Sequence, residues 1–122
     1  MTMIYTITNQ KGGIGKSTTA QALGAGLAKL HNKKVLLIDL DAQENLTIAT
    51  GAKRGGANSY LLLKGEITPA EAIQSVGGVD VIPATIQLSK ADTEIEATGK
   101  EYRLKEALAP VMSAYDYIII DT

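Results

Sequence analysis

One short segment constrains the fold of this chain more than any other: residues 11–18, which read KGGIGKST. The segment follows a strand-like run at residues 3–8 and leads into a helical pattern at residues 16–30. Consecutive glycines let backbone N–H groups converge on an anion, and the N-terminus of a helix adds partial positive charge. The segment therefore predicts a phosphate-binding loop between the first strand and the first helix of an α/β fold.

The side chains of this loop have the chemistry needed to hold a nucleotide. We expect Lys16 to reach the β- and γ-phosphate oxygens, and the Ser17 hydroxyl to ligate Mg²⁺. Thr18, one residue further into the helix, is expected to reach the α-phosphate. The predicted nucleotide-binding residues are Lys11, Gly12, Gly13, Ile14, Gly15, Lys16, Ser17 and Thr18.

The loop departs from the common G-x-x-x-x-G-K-[ST] pattern, because Gln10 stands six residues before Lys16. A second lysine, Lys11, precedes the paired glycines, so the segment has the more specific form K-G-G-x-G-K-S. The alternative is a glycine-rich turn with solvated lysines, in which Lys11 is an ordinary surface residue.

The rest of the chain alternates strand-like and helix-like segments, which predicts a mostly parallel sheet with helices on both faces. Further strands are expected at residues 35–38, 79–83 and 117–120. Further helices are expected at residues 59–63 and 86–97, from residue 68, and at residues 102–113. In the first helix, the stripe expected to face the sheet is Ala20, Leu23, Leu27 and Leu30. About four strands are fewer than the typical five or six, so we expect a fold truncated after its last strand.

Composition excludes several classes of function. The chain has no cysteine, which rules out disulfides, zinc–thiolate sites and cysteine nucleophiles within it. Its formal net charge of -1 gives no global electrostatic reason to bind nucleic acid. No apolar run approaches the ~20 residues of a membrane span, and no leader pattern precedes the first strand-like run. We therefore expect a soluble cytoplasmic protein.

Three aspartates follow apolar strands, at the sheet edge where open α/β folds bind ligands. Asp121 has the form of a Walker B aspartate and is expected to hold Mg²⁺ through water. Asp41 is expected to position or deprotonate an attacking water. Asp39 is expected to hydrogen-bond within the Ser17/Mg²⁺ shell, which makes Ser17, Asp39 and Asp121 the expected metal-site residues. The alternative for each aspartate is a turn residue that ends a strand.

Three segments together resemble the ParA/Soj family of chromosome and plasmid partition ATPases: NQKGGIGKSTTA, VLLIDLDAQENLT and YDYIIIDT. The likeness runs through the whole chain, and MinD and the nitrogenase iron protein share the deviant Walker A loop. The resemblance implies that residues 1–122 are the N-terminal part of one P-loop ATPase domain, with ATP and Mg²⁺ as cofactors. It implies that Lys11 reaches the nucleotide of a dimer partner, as an arginine finger does. The expected catalytic residues are Lys11, Lys16 and Asp41.

The resemblance also implies a cycle of association. ATP closes a homodimer with nucleotide at the interface, the dimer binds DNA non-specifically, and a ParB-type centromere-binding protein stimulates hydrolysis. The protein would then be cytoplasmic and associated with the nucleoid. Two departures stand against the family pattern. Ala42 occupies a position where the family usually has proline. The family's fold continues after the Walker B strand. The resemblance implies that this later part supplies the adenine contacts, much of the dimer interface and the DNA-binding surface, and this chain does not include it.

Three alternatives remain open from the sequence. A membrane-cycling positioning ATPase of the MinD type would share the phosphate loop, although residues 41–47 look more like the partition branch. A metabolic P-loop enzyme would use the same loop to phosphorylate a carboxylate substrate. A truncated, inactive or regulatory homologue would titrate its full-length relative by forming mixed dimers.

Overall fold

The computed structural model describes residues 2–7, 13–95 and 97–122, with the backbone alone for residues 13–18, 92, 97 and 98. The strands are β1 (Met3–Ile7), β2 (Val35–Asp39), β3 (Gln74–Val76), β4 (Val79–Ile82) and β5 (Tyr117–Asp121). The helices are α1 (Gly13–Leu30), α2 (Asn45–Thr50), α3 (Ser59–Leu63), α4 (Pro69–Ala72), α5 (Leu88–Glu94) and α6 (Ala97–Met112). None of these helices has the length and hydrophobicity that a bilayer-spanning helix requires.

The strands form one sheet in the order β1-β5-β2-β4-β3. Pairing is parallel between β1 and β5, between β5 and β2, and between β2 and β4. Only β3 runs antiparallel, as a hairpin with β4. The two-residue turn between them, Gly77 and Gly78, has φ values of 59° and 89°, which suit the tight turn of a right-twisted hairpin. The mostly parallel sheet is confirmed, and β3 adds a strand that the sequence did not predict.

Side chains of the central strands alternate between two apolar clusters, because successive residues of a strand point to opposite faces. The cluster on the α3–α6 side includes Leu36, Ile38, Ile118, Ile120, Leu62, Leu104 and Leu108. The cluster on the α1–α2 side includes Val35, Leu37, Val81, Ile119, Ala20 and Leu46. Helices therefore cover both faces of the sheet, as expected, and every residue of β2 is buried.

Helix α1 approaches the sheet through small residues rather than through the predicted leucine stripe. Ala20 and Leu27 pack in the α1–α2 cluster, but Leu23 and Leu30 are 40% and 81% exposed. Gly24 is buried, and a Cβ at that position would lie 2.8 Å from Cδ2 of Leu37. The contact face therefore follows the glycine and alanine positions, which turns two of the four predicted leucine-stripe positions toward the exterior.

Candidate functional site

The carboxyl ends of three parallel strands meet at one edge of the sheet. Ile7 of β1 lies opposite Asp121 of β5, and Asp121 lies opposite Asp39 of β2. Helix α1 begins at Gly13, after the end of β1. This edge is where ligands bind in open α/β sheets. Two of the three predicted carboxylates are therefore side by side, on neighbouring strands.

The predicted phosphate-binding loop is described only in part. Lys11 and Gly12 lie outside the described residues, and the remaining predicted positions are described by their backbone in the first turns of α1: Gly13, Ile14, Gly15, Lys16, Ser17 and Thr18. The helix begins three residues before the start predicted from the sequence. The roles expected of the lysine, serine and threonine side chains stay predictions.

Asp39 is a fully buried carboxylate that accepts hydrogen bonds from two residues that follow it closely in the chain, Asp41 and Thr47. Its Oδ1 accepts a hydrogen bond from the backbone N–H of Asp41 at 3.0 Å. Its Oδ2 accepts from the backbone N–H of Thr47 at 2.9 Å and from the Thr47 hydroxyl at 2.7 Å. Burial raises the pKa of Asp39 from 3.8 to about 6, against the opposing effect of these hydrogen bonds. The neighbouring Asp121 carboxylate adds a smaller upward effect on that pKa.

Thr47 and Ser59 connect Asp39 to the end of β4. The Thr47 hydroxyl oxygen accepts from the backbone N–H of Ala84 at 2.9 Å. The Ser59 hydroxyl donates to the backbone carbonyl of Asp39 at 2.7 Å, and its N–H donates to the carbonyl of Pro83 at 2.9 Å. Thr47 and Ser59 are fully buried. Sequence reasoning missed both residues, because their partners lie 8 to 37 positions away in the chain and no spacing rule identifies them.

Helix α3 spans Ser59–Leu63, the range predicted from the sequence. Asn58 is the N-cap of α3, and its side chain accepts from the N–H of Leu61 at 3.1 Å. Ser59 is the first helical residue, so its hydroxyl is available to bond Asp39 instead. Because Asn58, and not Ser59, caps α3, the Ser59 hydroxyl bonds the Asp39 carbonyl inside the site.

Asp41 lies in a tight turn beyond the end of β2. Its Oδ1 accepts from the N–H of Gln43 at 3.0 Å, and its carbonyl accepts from the N–H of Glu44 at 2.9 Å. These contacts form an Asx-type turn, which a short carboxylate side chain favours. Asp41 is half-buried, whereas Asp39 and Asp121 are fully buried. Asp39 and Asp41 therefore differ in burial, and the roles expected of them stay predictions.

The donor set at this edge fits Mg²⁺. Carboxylate oxygens are the ligands that Mg²⁺ prefers, and nucleotide sites usually supply one or two of them while phosphates and water supply the rest. Within the described ranges, no group of three or more acidic, histidine or cysteine side chains could hold a metal by itself. Asp39 already accepts three hydrogen bonds from protein donors, which suits contact through a water better than direct ligation. Asp121 lies opposite Asp39 on the neighbouring strand β5.

A cleft of about 480 Å³ lies at the opposite edge of the sheet, away from these carboxylates. Lys33, Lys34, Asp80 and Tyr115 are among its lining residues. The Tyr115 hydroxyl donates to Oδ2 of Asp80 at 2.6 Å. Burial, followed by this contact, raises the pKa of Tyr115 above its usual range. The cleft contains none of the predicted site residues, so the site rests on the carboxyl edge and not on the cavity.

Comparison with known proteins finds sequence relatives over the whole chain. The family profile described as an AAA domain matches residues 2–122. The sporulation initiation inhibitor protein Soj of Bacillus subtilis (strain 168) is 46% identical over 126 residues, which cover 99% of this chain and 49% of the relative. The chain spans about half the length of the curated relatives it matches.

Solved structures share the fold. Cobyrinic acid a,c-diamide synthase from Mycobacterium smegmatis, with bound ADP and magnesium, superposes with a TM-score of 0.89 at 36% identity, covering 99% of this chain and 51% of that one. A plasmid partition protein from Borrelia burgdorferi superposes with a TM-score of 0.86 at 36% identity, covering 100% of this chain and 56% of that one. The P-loop NTPase-like fold expected from the sequence is confirmed.

Proposed function

Because the chain belongs to the AAA-domain family and is similar along its length to Soj and to a plasmid partition protein, we propose that it is the nucleotide-binding part of a partition ATPase. Such a protein segregates or positions plasmid or chromosomal DNA through an ATP-dependent dimer cycle. The observation that carries the proposal is the pair of buried carboxylates, Asp39 and Asp121, aligned at the sheet edge beyond which α1 begins.

The ligand of this site is ATP with Mg²⁺. Residues 11–18 cradle the phosphates through backbone N–H groups, with Lys16 as the cation on the β- and γ-phosphates. Ser17 would ligate the metal, Asp121 would hold it through water, and Asp39 would hydrogen-bond within the Ser17/Mg²⁺ shell. When bound, Mg²⁺ neutralises negative charge on the phosphates. The solved synthase with ADP and magnesium supports this choice of ligand, since it shares the fold at 36% identity.

Hydrolysis needs a group that orients water, and Asp41 is suited to that task. Its carboxylate is half-buried in the turn after β2, whereas Asp39 is enclosed by donors from its own chain. Asp41 therefore accepts a proton from the attacking water, or orients that water without taking the proton. Lys11 supplies positive charge to the phosphoryl group of a partner subunit's nucleotide, in the manner of an arginine finger.

The similarity to Soj and to a plasmid partition protein supports a proposal for the partners of the whole protein. We assign it a homodimer with nucleotide at the interface and a ParB-type protein that stimulates hydrolysis. We assign non-specific DNA binding to the part of the relatives that this chain does not span. Its place in the cell is the cytoplasm, in association with the nucleoid.

One observation favours a second candidate, a ligase-type enzyme. The synthase from Mycobacterium smegmatis matches the fold as closely as the partition protein does, with TM-scores of 0.89 and 0.86. The two functions share the nucleotide site and differ in the acceptor of the γ-phosphoryl group. In the partition ATPase the acceptor is water, and in the ligase it is a substrate carboxylate. An assay without any added carboxylate substrate distinguishes them, because only the partition ATPase would then release inorganic phosphate from ATP.

The first experiment is calorimetric titration of the chain with Mg-ATP and with Mg-GTP. We expect ATP binding that Lys16→Ala abolishes, because the lysine supplies the charge that the phosphates require. The matched control is Lys29→Ala, which removes an exposed lysine from the last turn of the same helix. Equal binding by the parent chain and Lys16→Ala would refute the proposed site. A folded chain that binds neither nucleotide would contradict the expectation that residues 1–122 bind ATP without the rest of the protein.

A further inference from the structure

A buried hydroxyl group joins the candidate site to the loop that follows β4. Thr47 lies in α2 and is fully buried. Its Oγ1 is 2.7 Å from Oδ2 of Asp39 and 2.9 Å from the backbone nitrogen of Ala84. Both partners are themselves buried, so water does not compete for either contact.

The direction of these two hydrogen bonds is determined by the donors available. A hydroxyl carries one proton and accepts through its lone pairs, whereas a backbone N–H only donates. Oγ1 of Thr47 therefore accepts from Ala84, and its one proton goes to Asp39. The Thr47 N–H donates to the same carboxylate oxygen, so one residue holds Oδ2 of Asp39 from two directions.

The orientation of Asp39 in turn sets the backbone of Asp41. Oδ2 is occupied by Thr47, which directs Oδ1 to the backbone N–H of Asp41 at 3.0 Å. Asp39 is also held through its carbonyl, which accepts from the Ser59 hydroxyl. Ser59 bonds Pro83, next to Ala84, so two separate contacts connect the end of β2 to the end of β4.

We propose that Thr47 is a positioning residue for the Asp39–Asp41 segment, and that its hydroxyl couples this segment to residues 83–84. A movement of residues 83–84 is transmitted through the hydroxyl to Asp39, and from Asp39 to the backbone of Asp41. The value of this coupling for hydrolysis rests on the proposed function, in which Asp41 orients water. The coupling itself is a property of the chain without nucleotide or metal, and it is tested in that state.

The test is amide hydrogen exchange, measured by NMR on the chain free of nucleotide, with three variants. Thr47→Val removes the hydroxyl at nearly constant volume, and Thr47→Ser keeps it. Thr50→Val is the matched control, because it removes a hydroxyl in the same helix that bonds only the Thr47 carbonyl. The Asp41 amide reports the proposed coupling. The Leu37 amide, in the fully buried β2, reports global unfolding.

In Thr47→Val we expect the Asp41 amide to exchange about tenfold faster or more, after correction for the change at Leu37. The reason is that the lost hydrogen bond holds the same Asp39 carboxylate that accepts from this amide. In Thr47→Ser and Thr50→Val the corrected rate should stay near the parent value. A merely structural role for Thr47 predicts that Asp41 and Leu37 change by the same factor, and that result would overturn the proposal. Equal acceleration in Thr47→Ser would also overturn it.

If Thr47→Val does not fold, the parent chain answers the question. A buried hydroxyl that donates to a carboxylate should exchange slowly enough to give its own proton resonance, with a cross-relaxation peak to the Ala84 amide. Absence of that resonance would overturn the proposal. A chain that fails to bind Mg-ATP yet shows the expected exchange pattern refutes the nucleotide site in this chain and supports the positioning role of Thr47.

Discussion

Asp39 shows how one residue can be both destabilising and ordered. Removing a carboxylate from water is costly, and the donors around it offset only part of that cost, so its pKa remains raised to about 6. Three protein donors nevertheless hold it in one orientation. This combination is common at functional sites, where a residue is retained for its chemistry at some expense of stability.

The raised pKa of Asp39 makes a prediction about stability and pH in the absence of metal. The pKa is higher in the folded chain (about 6) than in the unfolded chain (3.8), so this group favours folding most at low pH. Its contribution is fully present below 3.8 and is lost as the pH rises through about 6. The total is on the order of 3 kcal/mol. Urea unfolding of the parent and of Asp39→Asn, which does not titrate, measures it.

We expect the difference in unfolding free energy between the parent and Asp39→Asn to shift in favour of the parent by about 2 kcal/mol when the pH falls from about 7.5 to about 4.5. Other titrating groups contribute almost equally to both chains and cancel in the difference. A difference that stays constant across this range would show that burial does not raise the pKa of Asp39.

At the residue scale, the sequence placed the carboxylates correctly and left their partners unknown. Apolar strands followed by Asp39 and Asp121 are local patterns, and parallel pairing brings the two residues together. The hydrogen bonds of Thr47 and Ser59 depend instead on how α2 and α3 pack over the strand ends. Packing of that kind has no local signature, because a buried threonine and an exposed one look alike in sequence.

At the element scale, the close approach of α1 to the sheet predicts opposite effects for two glycines. A methyl group at Gly24 would lie 2.8 Å from the buried Leu37 side chain, whereas Gly26 has nothing within 4 Å of that position. Overpacking costs about 1–3 kcal/mol, against a helix-propensity gain of about 1 kcal/mol for alanine over glycine. Gly24→Ala should therefore lower the unfolding free energy by about 1 kcal/mol.

Gly26→Ala is the matched control for that prediction, and it should raise the unfolding free energy by about 0.5–1 kcal/mol. Chemical denaturation of both variants beside the parent measures the two effects. A stabilised Gly24→Ala would mean that Leu37 moves aside without cost, and that close packing of α1 does not require glycine at this position.

The segments that the sequence missed, whole elements or the first residues of one, are short or polar. β3 has three residues, reads QSV, and becomes a strand only by pairing with β4 across the Gly77–Gly78 turn. α2 has six residues with three threonine or isoleucine positions, and it begins after Glu44 in the left-handed conformation. α6 starts at Ala97, five residues before its predicted start, in a stretch with little apolar periodicity. Tertiary contacts, rather than local preference, form these segments.

At the scale of the whole molecule, the two ends of the sheet differ in character. The carboxyl edge holds the aligned aspartates, and the opposite edge holds a polar cleft with Lys33, Lys34 and Tyr115. Parallel strands produce this division, since all their carboxyl ends point the same way. The sequence predicted the aspartates at the carboxyl edge, because each follows an apolar strand, and it did not predict the cleft. It did not predict the lateral order of the strands, which depends on pairing between segments far apart in the chain.

The lateral order leaves β1 as the outermost strand at one side of the described sheet. Met3 and Tyr5 on this strand are 45% and 42% exposed. An edge strand with exposed apolar side chains is a template for pairing with another chain. We therefore expect the 122-residue chain to self-associate through β1, with a sedimentation coefficient that rises with protein concentration.

Met3→Lys should suppress this association, because a charged side chain on an edge strand opposes pairing between chains. Ser75→Lys is the control, since it adds the same charge to β3, the other edge, at an exposed position. β3 has only three residues and offers little surface for pairing. Sedimentation velocity on the three proteins should therefore show association in the parent and in Ser75→Lys, and mainly monomer in Met3→Lys. Equal suppression by both lysines would indicate that net charge, and not the β1 edge, controls association.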